Sequence, residues 1–175
     1  GPAPATTAVT SKRAAATGRG RAAVSDTRLS LTMPTETDKR ARGGGGRRYL
    51  GTVPGTLLET LGIVVTRADP DRVEATMPVT PRHHQPHGIL HGGASVALAE
   101  TVASVGASQG LAAGERAVGL EINANHIRQV ADGEVHAVGT PLHRGRRTHV
   151  WQVEVRDPQG RLVCVSRCTV AIITG

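Results

Sequence analysis

The 175-residue chain predicts an α+β domain in which one long helix packs against an antiparallel sheet of five or six strands. Two observations lead to this prediction. Apart from Glu100, the stretch from Ala94 to Ala107 contains only Ala, Ser, Val, Leu, Thr and Gly, which favours one small-sided helix. Segments that alternate apolar and polar residues lie before and after it, separated by turn sequences, which indicates antiparallel strands.

The first fifty residues differ from the rest in composition and charge. They are rich in Ala, Thr, Arg and Gly, lack apolar periodicity, and carry ten Lys/Arg against three Asp/Glu. This predicts a disordered basic tail over residues 1–50 and one folded domain over residues 51–175. The opening Gly-Pro resembles a protease scar, so Met33 could be the natural start; a transit peptide is the second interpretation.

The folded part predicts neither a nucleic-acid partner nor a membrane partner. It holds eleven Lys/Arg and eleven Asp/Glu, and Trp151 is its only aromatic residue besides histidine. A nucleic-acid interface would need a basic stripe interleaved with aromatic residues. The chain also lacks an apolar run of secretory or membrane-spanning length, so we expect a soluble, cytoplasmic protein.

Before the central helix, the sequence predicts a short helix and a hairpin. Leu57, Leu58 and Leu61 have helical spacing, so a helix is expected over 54–61, ending at Gly62. Residues 63–66 read as a strand, and the turn sequence ADPD leads into a second strand whose apolar positions alternate from Val73 to Val79. Pro78 indicates a sheet edge or a strand end.

After the central helix, turns separate four further strand-like segments. The segments cover residues 117–128, 134–143, 148–157 and 161–173. In the third, Trp151 and the two valines after it at alternate positions are expected to face the core. Cys164 and Cys168 lie roughly 13 Å apart along the last strand, too far to form a disulfide, and are expected to be core thiols.

Chemistry is concentrated between Gln85 and Ser104. Gly92 and Gly93 leave the first helical N–H groups uncovered, where negative charge is stabilised, and Ser95 or Ala94 is expected near the N-cap. Glu100 is the only charged residue in this small-sided wall, so we expect it to be buried, as either a paired structural acid or a reactive group. Ser104 at i+4 and Ala97 at i−3 share its helix face.

The histidines of the loop raise the alternative of a metal site. His83, His84, His87 and His91 are close in sequence, but they have no cysteine partner and no regular ligand spacing, so no metal is expected. A structural role for Glu100 is the plainer interpretation of that residue alone. The coincidence of Gln85, His91, the two glycines and Ser104 favours a reactive site instead.

Four motifs, in order, resemble those of a known family: GILHGGASVALAE, VGLEINANHIR, GTPLHRGRRTHVWQVEV and GRLVCVSRCTVAI. They resemble the hotdog-fold thioesterases, in particular the branch with 1,4-dihydroxy-2-naphthoyl-CoA thioesterase and the enterobactin-pathway proofreading thioesterase. The resemblance covers about residues 56–174. It implies a sheet wrapped around the long helix, a homodimer joined edge to edge, pairing of dimers into a homotetramer, and active sites between subunits.

The resemblance also implies roles for individual residues. Glu100 matches the catalytic glutamate and Ser104 its neighbouring serine, while Gln85, His91 and the backbone N–H of Gly92 come from across the interface. Gly92 and Gln85 would polarise the thioester carbonyl, Glu100 would attack it or deprotonate a water, and His91 and Ser104 would position the water or the thiolate. The substrate-binding residues that it implies are His126 near the acyl group and, for the CoA phosphates, Arg128, His143, Arg144, Gly145 and Arg146. Arginines in a hairpin turn can also be merely solvated.

The implied function is hydrolysis of an aromatic acyl-CoA, with 1,4-dihydroxy-2-naphthoyl-CoA of the menaquinone pathway as the favoured substrate. A broader thioesterase acting on hydroxybenzoyl-CoA, phenylacetyl-CoA or acyl-carrier-protein thioesters is the main alternative. A hotdog dehydratase and a non-catalytic acyl-CoA-binding module are more remote alternatives. No cofactor is implied, because coenzyme A is part of the substrate.

Overall fold

The computed structural model describes residues 50–174, which belong to one compact unit. The predicted tail over residues 1–50 therefore lies almost wholly outside the described residues. The described elements follow the chain as α1 (Leu57–Thr60), β1 (Val64–Asp69), β2 (Arg72–Val79), a 3₁₀ turn (Pro81–His83), α2 (Gly92–Ala107), β3 (Glu115–His126), β4 (Gly133–Arg144), β5 (Thr148–Arg156) and β6 (Leu162–Thr174).

The six strands form one antiparallel sheet in the order β1-β2-β4-β5-β6-β3. Helix α2 contacts every strand of this sheet, so the sheet curves around one side of the helix. The predicted α+β architecture, one long helix against a six-stranded antiparallel sheet, is confirmed. None of the helices among residues 50–174 is long and apolar enough to cross a membrane.

The core lies between α2 and the inner face of the sheet. Strand β5 alternates as predicted: Trp151, Val153 and Val155 are fully buried, and the residues between them are partly exposed. Strand β2 alternates in the same way from Val73 to Val79. Cys164 and Cys168 are free thiols buried in the core, also as predicted. Burial raises the pKa of both thiols, that of Cys168 to about 11, so neither is an ionised nucleophile at neutral pH.

Three local predictions have different outcomes. Helix α1 needs correction: it is only four residues long and begins at Leu57, because the preceding residues are exposed and form a turn in which the Thr56 hydroxyl donates to the Val53 carbonyl. Helix α2 begins at Gly92, as the helix start predicted from the two glycines requires. Pro78 lies one residue before the end of β2, so the strand-end alternative is confirmed; the sheet-edge alternative is wrong, since β2 lies between β1 and β4.

Strand β3 forms one of the two edges of the sheet, opposite the edge formed by β1. It pairs only with β6, and its register shifts between Gly119 and Glu121, so Leu120 has no partner across the ladder. Val118 is 44% exposed and Leu120 is 62% exposed. An edge strand with unpaired backbone groups and exposed aliphatic side chains is suited to pairing with another chain.

Candidate active site

A cleft of about 510 Å³ lies alongside α2. Ala97, Glu100 and Ser104 line it from the helix, so the predicted sharing of one face by these three residues is confirmed. Ala117 of β3 lines a further part of the wall. Glu100 is the only ionisable residue among the lining residues in the described part of the chain.

Glu100 is exposed in the single chain, which corrects the predicted burial. The reason is its place on α2: its helix face is directed toward the edge strand β3 and not toward the centre of the sheet. The carboxylate lies beside Gly119 on β3, with Oε1 2.7 Å from the point that a Cβ on this residue would occupy. One side of the cleft is therefore open in the single chain.

The wall opposite the helix comes from the segment before β1. Val53, Leu57 and Leu58 supply its aliphatic surface. Leu58 packs against the core, whereas Leu57 is 58% exposed and Val53 is 37% exposed. The sequence had predicted only a helix here. The helical spacing of the leucines was the available signal, but nothing in it indicated that Leu57 faces the glutamate's cleft.

Most hydroxyl groups of the cleft are already engaged. Thr56 donates to the Val53 carbonyl, Thr101 to the Ala97 carbonyl and Ser108 to the Ser104 carbonyl. The Ser104 hydroxyl has no such partner among residues 50–174. The cleft therefore presents a largely apolar surface with two polar side-chain groups that have no hydrogen-bond partner among residues 50–174, the Glu100 carboxylate and the Ser104 hydroxyl.

The start of α2 forms a second group of predicted residues. His91 is the N-cap, and its Nδ1 accepts a hydrogen bond of 2.8 Å from the Gly93 N–H. This corrects the predicted cap at Ser95 or Ala94, whose N–H groups instead donate to the His91 carbonyl. Because Nδ1 accepts, the proton of the neutral ring is on Nε2. Among residues 50–174, the Gly92 N–H has no acceptor, as the uncovered helix start required.

His126 joins this second group. A Cβ at position 92 would lie 2.7 Å from His126 Nε2, so the imidazole lies beside Gly92 in the space that a side chain would take. Gln85 lies in the preceding loop, where its side-chain oxygen accepts from the His87 N–H at 3.3 Å. His91, Gly92 and His126 thus meet at the N-terminal end of α2.

The two groups are separate within one chain. Glu100 follows Gly92 by eight positions along the helix, which corresponds to about 12 Å along the axis. A single thioester carbonyl held at the Gly92 N–H cannot also be in contact with Glu100 of the same chain. The structure therefore brings Glu100 and Ser104 together, and separately His91, Gly92 and His126.

The predicted phosphate residues of the β4–β5 hairpin have different surroundings. Arg144 forms an ion pair of 3.1 Å with Asp71, and its guanidinium lies 5.5 Å from the centroid of the Trp151 ring. The Gly145 N–H donates to the Thr148 carbonyl, and a Cβ on Gly145 would meet His143. Arg146 lines a second cleft of about 440 Å³ with Arg147 and Glu115. Arg146 is therefore more available to a ligand than Arg144.

Arg128 lies at the other end of the sheet. Its N–H bonds to the Val163 carbonyl at the start of β6, whereas Thr148 of the hairpin pairs with Ala171 near the end of that strand. These two positions of β6 differ by eight residues, or roughly 25 Å along the strand. Arg128 and Arg146 of one chain cannot hold the same phosphate.

The loop histidines have structural contacts. His83 is buried and its Nε2 lies 2.9 Å from the Leu61 carbonyl, while Nε2 of His84 lies 2.8 Å from the Ala131 carbonyl. In the range 50–174, no three His, Cys, Asp or Glu side chains are grouped so that they could hold a metal ion. His149, which the sequence did not single out, is buried beside the hairpin. Burial lowers its pKa, and the nearby Arg144 and His143 lower it further.

Comparisons with known proteins agree with this architecture. The thioesterase superfamily model matches residues 87–164. The chain is 50% identical over 122 residues to the proofreading thioesterase EntH of Cronobacter sakazakii, an alignment that covers 70% of this chain and 89% of the relative. It is 49% identical over 119 residues to the 1,4-dihydroxy-2-naphthoyl-CoA hydrolase of Escherichia coli, covering 68% and 88%.

Solved structures give the same result. The crystal structure of a thioesterase from Haemophilus influenzae is similar at a TM-score of 0.67 and 47% identity, covering 69% of this chain and 85% of that chain. A mutant thioesterase from Pseudomonas aeruginosa is similar at a TM-score of 0.67 and 39% identity, covering 69% and 88%. With these relatives, the six-stranded sheet around one helix and the sequence motifs, the chain belongs to the thioesterase superfamily, the hotdog-fold thioester hydrolases.

Proposed function

We propose that this chain hydrolyses the thioester bond of an aromatic acyl-CoA, with Glu100 as nucleophile or general base. The observation that carries the proposal is the location of Glu100 and Ser104 in an apolar cleft of about 510 Å³. This volume is in the range of small-ligand sites. A carboxylate at the wall of such a cleft can act on an acyl group held against the aliphatic side chains.

In the general-base route, Glu100 takes a proton from water as the water oxygen bonds to the thioester carbon. The negative charge that develops on the carbonyl oxygen is stabilised by the Gly92 N–H at a helix N-terminus and by the Gln85 amide. The C–S bond then breaks, and CoA leaves as a thiolate that takes up a proton. In the alternative route, a Glu100 carboxylate oxygen bonds to the thioester carbon, and the C–S bond breaks to release CoA as a thiolate that takes up a proton. Water then hydrolyses the resulting anhydride, which releases the acid and regenerates the Glu100 carboxylate. His91 and Ser104 position the water or the thiolate in either route.

The site needs two subunits under this proposal. The separation of about 12 Å between Gly92 and Glu100 in one chain requires that the carbonyl donors and the carboxylate come from different chains. The open β3 edge, with Val118 and Leu120 exposed, supplies a surface for a homodimer. Dimers would pair into a homotetramer, as the family resemblance implies. His126, beside Gly92, would then be near the bound acyl group.

The phosphates of CoA are assigned to the β4–β5 hairpin, with Arg146 as the principal cation. Its second cleft is open, and a guanidinium binds phosphate oxygens by paired hydrogen bonds. His143 and Gly145 would form the turn beside it. Arg144 would contribute less because it is held by Asp71 and Trp151. Arg128 would reach CoA only from another subunit. No cofactor takes part, since coenzyme A is part of the substrate.

Our preferred substrate is 1,4-dihydroxy-2-naphthoyl-CoA, which the name of the Escherichia coli relative states for that protein. A proofreading thioesterase is similar at nearly the same identity. The second candidate, which the family resemblance implies, is a broader thioesterase acting on hydroxybenzoyl-CoA, phenylacetyl-CoA or acyl-carrier-protein thioesters. A largely apolar cleft discriminates weakly between acyl groups of similar shape. We therefore expect several aromatic thioesters to be hydrolysed at different rates.

The test is thiol release from naphthoyl-, benzoyl-, phenylacetyl- and straight-chain CoA thioesters. Wild type is compared with Glu100→Gln, which removes the charge at nearly constant shape, and with Glu134→Gln as the matched control, since Glu134 lies on β4 outside the cleft. We expect kcat to fall by about a thousandfold in Glu100→Gln and to be unchanged in Glu134→Gln. The Tm should stay within a few degrees, because Glu100 is exposed.

Other outcomes would identify the alternatives. Full turnover by Glu100→Gln would remove Glu100 from the mechanism. Hydration of enoyl-CoA without thiol release would indicate a dehydratase. Binding of acyl-CoA with neither reaction would indicate a binding module, provided that carrier-protein thioesters are not hydrolysed either.

A further inference from the structure

Gly119 lies beside the carboxylate of Glu100, the proposed catalytic residue. It lies on the edge strand β3, opposite Val170 of β6, at the start of the bulge. A Cβ at position 119 would lie 2.7 Å from Oε1 of Glu100 and 3.8 Å from its Cδ. Apart from the adjacent residues of its own strand, no other described group comes within 4 Å of that point. The space that a side chain would fill is thus occupied by the Glu100 carboxylate.

The backbone itself does not require glycine at this position. Eight glycines of the described chain have a positive φ that favours glycine, and Gly119 is not among them. Glycine inside a strand lowers the stability of the fold, because it adds backbone entropy to the unfolded chain and has no side chain that could pack against its neighbours. Within the described chain, the Glu100 carboxylate is what a side chain at position 119 would meet, and this contact gives a physical reason for glycine there.

At Gly139, an added side chain would meet core residues instead of an exposed carboxylate. A Cβ on Gly139 would come within 2.5 Å of Val102 Cγ1 and also meet Val153 and Trp151, all in the core. At Gly119 the neighbour is the end of a flexible, exposed side chain. A methyl group there would displace the carboxylate and leave the core packing unchanged.

We propose that Gly119 is a positioning residue for thioester hydrolysis. Because residue 119 has no side chain, the Glu100 carboxylate can lie close to β3, and this contact fixes its position in the cleft. Ala117, two residues earlier on β3, lines the same cleft, so this part of the strand forms the wall against which the carboxylate rests. The inference depends on the proposed function, in which Glu100 is the reacting group. A displacement of about 1 Å in a reacting group can cost roughly a hundredfold in rate.

The test is a mutant cycle between positions 119 and 100, assayed on the best thioester of the panel. We expect Gly119→Ala to lower kcat by about a hundredfold, with KM within about twofold and Tm nearly unchanged. In a Glu100→Asp background the carboxylate is one methylene shorter and leaves room for the methyl group. There, Gly119→Ala should lower kcat by less than about threefold. Gly139→Ala is the contrasting control, with a lower Tm and an unchanged kcat for the folded enzyme.

Several results would overturn the inference. Equal losses of kcat in both backgrounds would mean that Gly119 does not act through Glu100. Full activity of Gly119→Ala, or failure of that protein to fold, would contradict a contact limited to a displaceable carboxylate. A crystal structure of the wild type with the Glu100 carboxylate more than about 4 Å from the point that a Cβ on residue 119 would occupy would do the same, since a methyl group there would no longer meet the carboxylate. Absence of turnover in the wild type would instead refute the proposed function, so the two failures are distinguishable.

Discussion

The indole of Trp151 lies directly against the backbone of Gly106. Gly106 is in the last turn of α2, and Trp151 is the largest fully buried side chain of the sheet. A Cβ on Gly106 would overlap the six-membered ring of the indole. The small residues of the helix thus let a large ring on β5 approach the helix backbone.

We expect Gly106→Ala to destabilise the fold, although alanine is the better helix former by about 1 kcal/mol. The rigid, buried ring cannot move aside, and overpacking of this kind costs about 1–3 kcal/mol. Urea denaturation of Gly106→Ala measures the loss. In a Trp151→Phe background, where the smaller ring leaves space, the same change should cost less. An increase in stability from Gly106→Ala in the wild type would contradict the packing described.

Leu57 should influence which acyl groups are hydrolysed. Its exposed side chain forms part of the aliphatic wall opposite Glu100, so Leu57→Ala enlarges the cleft. We expect kcat/KM for benzoyl-CoA to fall about tenfold relative to that for naphthoyl-CoA, because the smaller ring loses its contact. Val64→Ala, at an exposed valine outside the cleft, is the control. An unchanged ratio in Leu57→Ala would place the acyl group elsewhere.

Arg146 should contribute to affinity for CoA and not to the chemical step. Loss of a charged hydrogen bond to phosphate is expected to raise KM for acyl-CoA about tenfold in Arg146→Ala, with kcat little changed. An acyl-N-acetylcysteamine thioester, which has no phosphates, provides the control substrate. Equal effects of the mutation on both substrates would show that Arg146 does not bind the nucleotide end.

His149 should make the fold less stable in acid. Burial, with the positive charges of Arg144 and His143, lowers its pKa in the folded state below the ordinary value of 6.5. The unfolded chain therefore binds the proton first, and stability is lost as pH falls below about 6.5 until the folded-state pKa is passed. Tm measured from pH 7.5 to 5.5 should decline less in His149→Gln than in the wild type. Parallel declines in both proteins would contradict this role.

The motifs predicted more of the fold than of the site. The alternation of buried and exposed residues in β2 and β5 could be predicted, because successive side chains on a strand point to opposite faces of the sheet. Burial therefore follows directly from the order of the residues. The shared helix face of Ala97, Glu100 and Ser104 could also be predicted, because residues three or four positions apart lie on the same side of a helix. The N-cap was missed because Ser95 is the more usual capping residue type, whereas the turn before α2 places the His91 ring on the Gly93 N–H.

The α+β architecture, the family resemblance and the candidate residues could be predicted from the amino-acid order alone, because they depend on local periodicity and on short motifs. Four features are visible only in the folded chain: Glu100 is exposed, Leu57 lines the cleft, Gly119 lies beside the carboxylate, and Arg144 contacts Asp71 and Trp151. These contacts join residues that are far apart in the chain. They depend on how the helix is placed on the sheet and where the sheet edge lies, which no local pattern encodes.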